Sequence, residues 1–270
     1  VTRIAVVQFP GSNCEAETVA ALAACGAGAE IVRWNAPPAT WAGFDGYVLP
    51  GGFAYEDRVR AGAVAAKHRA LDHIEAAAAA GRPVLGLCNG AQILVEAGLV
   101  PGIEPGRVEV ALAANAADGW TGYYCEWVHV AAAAGSGWVA KLAAGPVPMP
   151  VGHGEGRFTA RHATFDDLVR RGQVAFRYVR ADGGAAAGFP DNPNGALADA
   201  AGLCDPTGRI VALMPHPERA AWLYQVPEEL PGPWGAARRA AAGDAGALRD
   251  AGPGRAIYAA FVAAASEAGR

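Results

Sequence analysis

Lysine is almost missing from this 270-residue chain: Lys67 and Lys141 are the two examples, and every other basic side chain is arginine. Charge of any kind is sparse at 18%, and 26 acidic against 22 basic residues leave a formal net charge of −4. So mild an acidic balance does not suit a surface that tracks a phosphate backbone, and no nucleic-acid partner is expected. The five cysteines, Cys14, Cys25, Cys88, Cys125 and Cys204, form no CxxC pair and no cluster with histidine at metal-ligand spacing. A disulfide framework and a structural metal site are therefore not expected, and a reducing cytoplasm is the simplest setting. No stretch approaches about eighteen strongly apolar residues without a charge or a proline, so no membrane span is expected. The apolar start of the chain is too short for a signal peptide and runs straight into a turn at Pro10-Gly11. The glycine-rich stretches lack the GxxxxGK[ST] order of a P-loop, and Gly51-Gly52 lacks the GxGxxG form of a dinucleotide fingerprint.

Apolar residues make up 52% of the chain, enough for a substantial buried core. Over the first hundred residues strand patterns alternate with alanine-rich helical ones. Strands are expected at 3–9, 30–34, 47–50 and 83–87. Helices are expected from an Asn13 cap to Gly26, over 62–80, and after Cys88. That alternation predicts an α/β fold with a mainly parallel central sheet covered on both faces. From about residue 104 the texture changes to strands at 108–110, 123–130 and 174–179, read as an elaboration on the far side of the sheet because no linker separates it. A strand at 210–214 and a closing helix around 257–262 complete a single domain over 1–270. Between them, 227–254 is rich in proline and glycine and reads as a surface excursion with a short helix near 235–242.

The sharpest chemical signal is Gly86-Leu87-Cys88-Asn89-Gly90-Ala91-Gln92. A strand followed at once by a helix presents the residue at the turn upward, with backbone N–H groups pointing into the same space. Glycines two before and two after relieve crowding, as in a nucleophile elbow with cysteine for serine. The positive end of a helix favours a thiolate there. The competing reading is a buried structural cysteine. Gly51-Gly52, at the end of the strand 47–50, lets backbone come close to a ligand; if that strand neighbours 83–87, the Gly52 and Asn89 amides could form an oxyanion hole. His216, fixed between Pro215 and Pro217, and Glu218 directly after them supply a base and its orienting acceptor. On chemistry alone His153 competes with His216 as that base. His68 and His73 read as surface residues of a helix.

Taken together, the Cys88 motif, Gly51-Gly52 and Pro215-His216-Pro217-Glu218 resemble the triad-type (class I) glutamine amidotransferases. Phe9 to Cys14, Gly51 to Ala65, His153 to Arg157, Phe176-Arg177-Tyr178, Asn192 to Gly195 and Met214 to Ala220 are similar, in order, to the glutaminase subunits of phosphoribosylformylglycinamidine synthases. The resemblance implies a flavodoxin-like three-layer sandwich. It implies Cys88 as nucleophile, His216 as base, Glu218 as its partner, and the Gly52 and Asn89 amides as oxyanion donors. Gly51 and Gln92 would help to shape the pocket for L-glutamine. It further implies that glutamine is hydrolysed through a thioester and that the ammonia passes to a separate synthetase subunit. That partner uses ATP and magnesium to convert formylglycinamide ribonucleotide to its amidine, and a small third subunit completes the assembly. This chain itself would need no metal or organic cofactor.

The chain departs from the family pattern at Ala54 and Glu56, where a serine and a glycine are usual, at Asp118-Gly119-Trp120, and at Glu126, where a basic residue is common. The excursion before 254 is longer than in compact relatives. Other readings are a different cysteine hydrolase or amidotransferase on the same scaffold, and a noncatalytic subunit that retains the fold. The presence of both Cys88 and His216 speaks against the latter.

Overall fold

Residues 1–133, 137–143 and 145–269 are described by a computed structural model of the chain. In the first strand, β1 (Arg3–Gln8), Ile4 and Val6 point into one apolar cluster and Ala5 and Val7 into another, all of them without solvent exposure. A strand buried on both faces needs no polar alternation, which is why this segment reads as a continuous apolar run. Strands β2 (Gly28–Arg33), β3 (Gly46–Leu49) and β4 (Val84–Leu87) join it in parallel, with β1 between β2 and β3 and β4 beside β3.

Past the first hundred residues the same sheet continues rather than a second one starting. The added strands are β5 (Tyr124–Ala132), β6 (Val147–His153), β7 (Val174–Val179), β8 (Ala200–Cys204) and β9 (Ile210–Leu213). The nine-stranded order is β2-β1-β3-β4-β9-β8-β7-β5-β6. Pairing is parallel from β2 to β9 and antiparallel from β9 to β6, so the sheet is mixed. The elaboration expected on the far side is this antiparallel half. Although β6 is the far edge strand, its end approaches the residues that follow β4 and β9, where Gly152 O faces Cys88 and Pro150 O accepts from His216 N–H.

Helix α1 (Glu15–Ala23) and the closing helix α6 (Arg255–Ala268) cover one face, through Leu22, Ile257, Tyr258 and Phe261. The other face is covered by α2 (Ala70–Ala79), α3 (Asn89–Glu96) and α4 (His162–Arg170), through Leu71, Ile74, Ile93, Leu94, Phe165 and Leu168. In the excursion, α5 (Pro233–Ala240) lies over a small separate cluster of Leu223, Val226, Leu230 and Ala241. The chain then returns: Ala251 bridges Trp222, and the N–H groups of Gly252 and Gly254 donate to Ala221 and Ala220.

Three local expectations need correction. Residue 14 rather than Asn13 occupies the cap of α1, and no side chain caps it. The helix expected over 62–80 is confined to α2; before it lie a short 3-10 turn at Ala65–Lys67 and an extended His68. The strand expected at 108–110 forms instead at Ala111–Ala113, paired with Arg157–Thr159 outside the main sheet.

Phe261 is fully buried and meets Trp138 edge-on, with ring centroids 5.6 Å apart. Phe261→Ala leaves a cavity that α6 cannot close without moving, so it should lower the free energy of unfolding by about 3–5 kcal/mol. Equilibrium unfolding in urea measures this; a loss below about 1 kcal/mol would show that α6 contributes little to the core.

Candidate active site

The turn between β4 and α3 places Cys88 in a conformation that side chains avoid, with φ +48°. Such strain persists where surrounding contacts over-determine the backbone. Here Cys88 N–H donates to Leu213 O at 2.8 Å, and Gln92 N–H closes the first helical bond onto Cys88 O at 3.1 Å. The flanking glycines are required by contact. A Cβ on Gly90 would lie 2.0 Å from Leu49 O, and one on Gly86 would lie 2.6 Å from Gly90 O. The elbow therefore wedges α3 directly against the backbone of β3. The Cys88 thiol is buried and faces Gly152 O, 3.7 Å away on β6.

His216 follows β9, the strand next to β4, and its N–H donates to Pro150 O on β6 at 2.8 Å. Its Nδ1 is hydrogen-bonded to Glu218 Oε1, and both side chains are sealed from water. Burial alone would suppress the imidazolium. The Glu218 carboxylate and the neighbouring Cys88 and Cys14 sulfurs outweigh it and hold the His216 pKa well above its usual value. For Glu218, burial opposes ionisation, but the His216 charge and hydrogen bond win, and the carboxyl titrates below its usual range. His216 and Glu218 are thus bonded to each other, while His216 Nε2 is buried without a hydrogen-bond partner among the described residues and lies within electrostatic reach of the Cys88 thiol.

Gly51 and Gly52 occupy different places beside this pair. A Cβ on Gly51 would lie 2.8 Å from His216 Cε1 and 3.1 Å from Cys14 Sγ, so Gly51 is the floor beneath the imidazole. Gly52, at φ +150°, sits in a backbone bridge with Ser12 that runs through Gly51 O and Phe53 N. Its own N–H takes no part in that pairing. The Asn89 N–H belongs to the first turn of α3, where no intrahelical acceptor exists.

The side chain of Asn89 ties α3 to the loop after Gly52. Its Oδ1 accepts from Ala54 N at 2.9 Å, and its Nδ2 donates to Asp57 Oδ1 at 3.1 Å and Gln92 Oε1 at 2.9 Å. Gln92 in turn donates to Glu155 O at 2.8 Å. In that loop Tyr55, Glu56, Asp57 and Val59 all have positive φ. Outside contacts hold them there: Tyr55 OH meets His68 Nε2 at 2.7 Å, and Arg60 clamps the buried Glu96 of α3. His68 therefore anchors this loop rather than facing solvent on a helix. Burial, then the neighbouring Glu155 charge, push Asp57 up to about 6.

His153 is close but unsuited to serve as the base. Burial and then the His216 charge push its pKa down to about 3, so it stays neutral, and its Nδ1 lies 3.2 Å from Asn115 Oδ1. Arg157 and Arg177 donate to the backbone of Ala114 and Ala198 and do not reach the thiol.

Three neighbours of this site went unread in the sequence. Cys14 is buried beside His216 and accepts from Arg219 Nη2 at 3.3 Å. Tyr123 and Arg219 come together at Gly152, opposite the carbonyl that faces Cys88. The signals available were faint: Cys14 ends the Phe9–Cys14 stretch, and Arg219 directly follows Glu218. Donor atoms of Cys14, His216 and Glu218 lie within 4.8 Å of one another, a set that could hold a metal ion. Of this set, His216 Nδ1 and Glu218 Oε1 are bonded to each other, and Cys14 Sγ takes a hydrogen bond from the Arg219 guanidinium. Among the described residues no helix is long and apolar enough to cross a membrane.

Residues 1–240 match the CobB/CobQ-like glutamine amidotransferase domain. The phosphoribosylformylglycinamidine synthase subunit PurQ of Methanothrix thermoacetophila is 41% identical over 237 residues, 85% of this chain and 90% of that protein. The subunit of the same description from Halobacterium salinarum is 43% identical over 219 residues, covering 80% and 91%. Among solved structures, a chain of PurLQS from Thermotoga maritima superposes with a TM-score of 0.65 at 31% identity, covering 82% of this chain and 89% of that one.

The raised Asp57 pKa makes a signed prediction. Between the ordinary 3.8 and about 6 the native state binds this proton more tightly than the unfolded state does, so the group weakens folding as pH rises through that window. Asp57→Asn removes the charge and keeps an acceptor for Asn89. Its melting temperature relative to wild type should be higher at about pH 8 than at about pH 4. Thermal scans at both pH values test this, and an offset independent of pH would refute it.

Proposed function

Because this chain belongs to the glutamine amidotransferase family, with relatives of the PurQ type, we propose that it is the glutaminase subunit of a phosphoribosylformylglycinamidine synthase and that Cys88 is its nucleophile. The observation that supports the assignment of roles is the buried His216–Glu218 pair, its charged form favoured in the field of the strained Cys88, at the carboxyl ends of the parallel strands. Ligands of open α/β sheets bind at that edge.

Cys88 Sγ attacks the side-chain amide carbon of L-glutamine, and the developing oxyanion is received by the Gly52 and Asn89 amides. The C–N bond breaks as the His216 imidazolium gives its proton to the departing ammonia. Water then enters, His216 takes a proton from it, and the new C–O bond releases glutamate as the S–C bond breaks. Glu218 keeps the imidazole oriented and stabilises its charged form. Gln92, fixed by Asn89 and Glu155 O, shapes the glutamine pocket, and Gly51 makes room for the base. No step calls for a metal or organic cofactor in this chain.

The ammonia passes to a synthetase subunit that uses ATP and magnesium to convert formylglycinamide ribonucleotide to its amidine, with a small third subunit in the assembly. The similarity to a chain of PurLQS supports these partners. We read 1–270 as one glutamine amidotransferase domain, which the continuous sheet and the return of the excursion onto 220–222 support. Five cysteines, none of them in a disulfide, support a cytoplasmic setting.

Cys88→Ala should abolish glutamine-dependent amidine formation, by on the order of a thousandfold or more, while ammonium salt at alkaline pH still supports the reconstituted complex. Product formation with each nitrogen source is the measurement. Retained glutamine-dependent turnover would exclude Cys88. Loss of both activities in an intact complex would place this residue in assembly instead.

A further inference from the structure

Gly152 separates two groups of side chains at the mouth of the site. Its carbonyl oxygen faces Cys88 Sγ at 3.7 Å. On its other side, where a Cβ would stand, are Tyr123 OH at 3.1 Å, Arg219 Nη1 at 3.7 Å and Cys125 Sγ at 3.9 Å. The missing side chain leaves a small cradle between a phenol, a guanidinium and the nucleophile. Arg219 is half-buried, bonds Cys14 Sγ through Nη2, and forms no salt bridge among the described residues. Of the five donors of a guanidinium, that bond uses one. A cation held beside a nucleophile without a carboxylate is matched by a ligand that brings its own, and a planar guanidinium takes a carboxylate through two parallel hydrogen bonds.

We propose that Arg219, assisted by the Tyr123 hydroxyl, binds the α-carboxylate of the substrate over the cradle at Gly152. The inference rests on the glutaminase reading and deepens it. In glutamine four carbon–carbon bonds separate the amide carbon from the α-carboxylate. With the amide at Cys88 the carboxylate is carried across Gly152 to the guanidinium side. The contact forms with substrate and thioester alike, so it contributes to binding and to selection of α-amino acids rather than to bond breaking. Arg219 is in this sense a specificity residue, and a simple amide lacking the carboxylate would forgo its contribution.

The test compares two alkylating agents on Cys88 in the reconstituted complex. One is 6-diazo-5-oxo-L-norleucine, which carries the α-carboxylate of glutamine; the other is iodoacetamide, which does not. Arg219→Gln should slow labelling by the diazoketone about 10- to 100-fold and leave the iodoacetamide rate within about twofold. It should raise KM for glutamine with little change in kcat. Wild-type enzyme should discriminate strongly between glutamine and its α-amide, and the variant should not. Tyr123→Phe should show a smaller loss of the same kind, and Arg219→Lys, which keeps the charge without the fork, an intermediate one. Equal slowing by both reagents would mean that Arg219 acts only by holding Cys14 beside the base, and would overturn the proposal. So would diazoketone labelling at the wild-type rate. Failure of both reagents to modify Cys88 in the wild-type complex would instead defeat the glutaminase reading, a separate and recognisable result.

Discussion

A carboxylate with no exposure to water, Glu218, is the constraint around which this site is arranged. An isolated charge in such a place costs several kcal/mol, and the penalty is offset only by an opposite charge in good geometry. His216 provides it, and the surroundings leave the pair little freedom. Pro217 lies between the two residues. Gln225 holds the backbone oxygen of Glu218 at 3.0 Å, and Gly254 approaches so closely that a Cβ there would meet Pro217 O at 2.3 Å. Gly51 supports the imidazole from the other side. The ring is therefore held where its charged form is favoured.

A second constraint acts on the far side of Cys88. The two amides proposed to receive the oxyanion come from separate segments, the Gly52 loop and the start of α3, and side-chain contacts help to keep them in register. Asn89 bonds both Ala54 and Asp57, and Arg60 reaches Glu96 one helix length further on. The left-handed run Tyr55-Glu56-Asp57 is the conformational cost of bringing Asp57 back onto Asn89. The departures at Ala54 and Glu56 lie in this same segment. Ala54 supplies a backbone N–H to Asn89, for which its side chain is immaterial, and Glu56 pairs at the surface with Arg58. Neither disturbs the clamp.

How much of this could be read from the chain depends on the range of the interaction. The elbow at Cys88 was legible because its requirements are local: a strand, a turn, a helix, and glycines at fixed offsets. The His216/Glu218 pair was legible for the same reason. Cys14 was not, because what matters is its bond from Arg219 and its place beside Gly51, both settled by the pairing of distant strands. Helix 62–80 was overextended because alanine favours helix everywhere, whereas Gly62 packs against the backbone of Gln92 and His68 turns out to meet Tyr55. Strand β8 went unread because Ala200-Ala201-Gly202-Leu203-Cys204 has little strand propensity. It is a strand because β7 and β9 flank it, and Gly202 is needed where a Cβ would meet Ala212 O at 2.8 Å.

The return of the excursion has a consequence for the life of the polypeptide before it is complete. The residues that brace the base are made after it: Trp222 and Gln225 follow at once, but the bridge at Ala251 and the amides of Gly252 and Gly254 come only once the whole detour has been synthesised. Until they emerge, the Glu218 turn lacks its cover, the carboxylate stays hydrated, and the imidazole is not committed to the thiol. A chain still emerging from the ribosome therefore carries Cys88, His216 and Glu218 before it carries the segment that covers them.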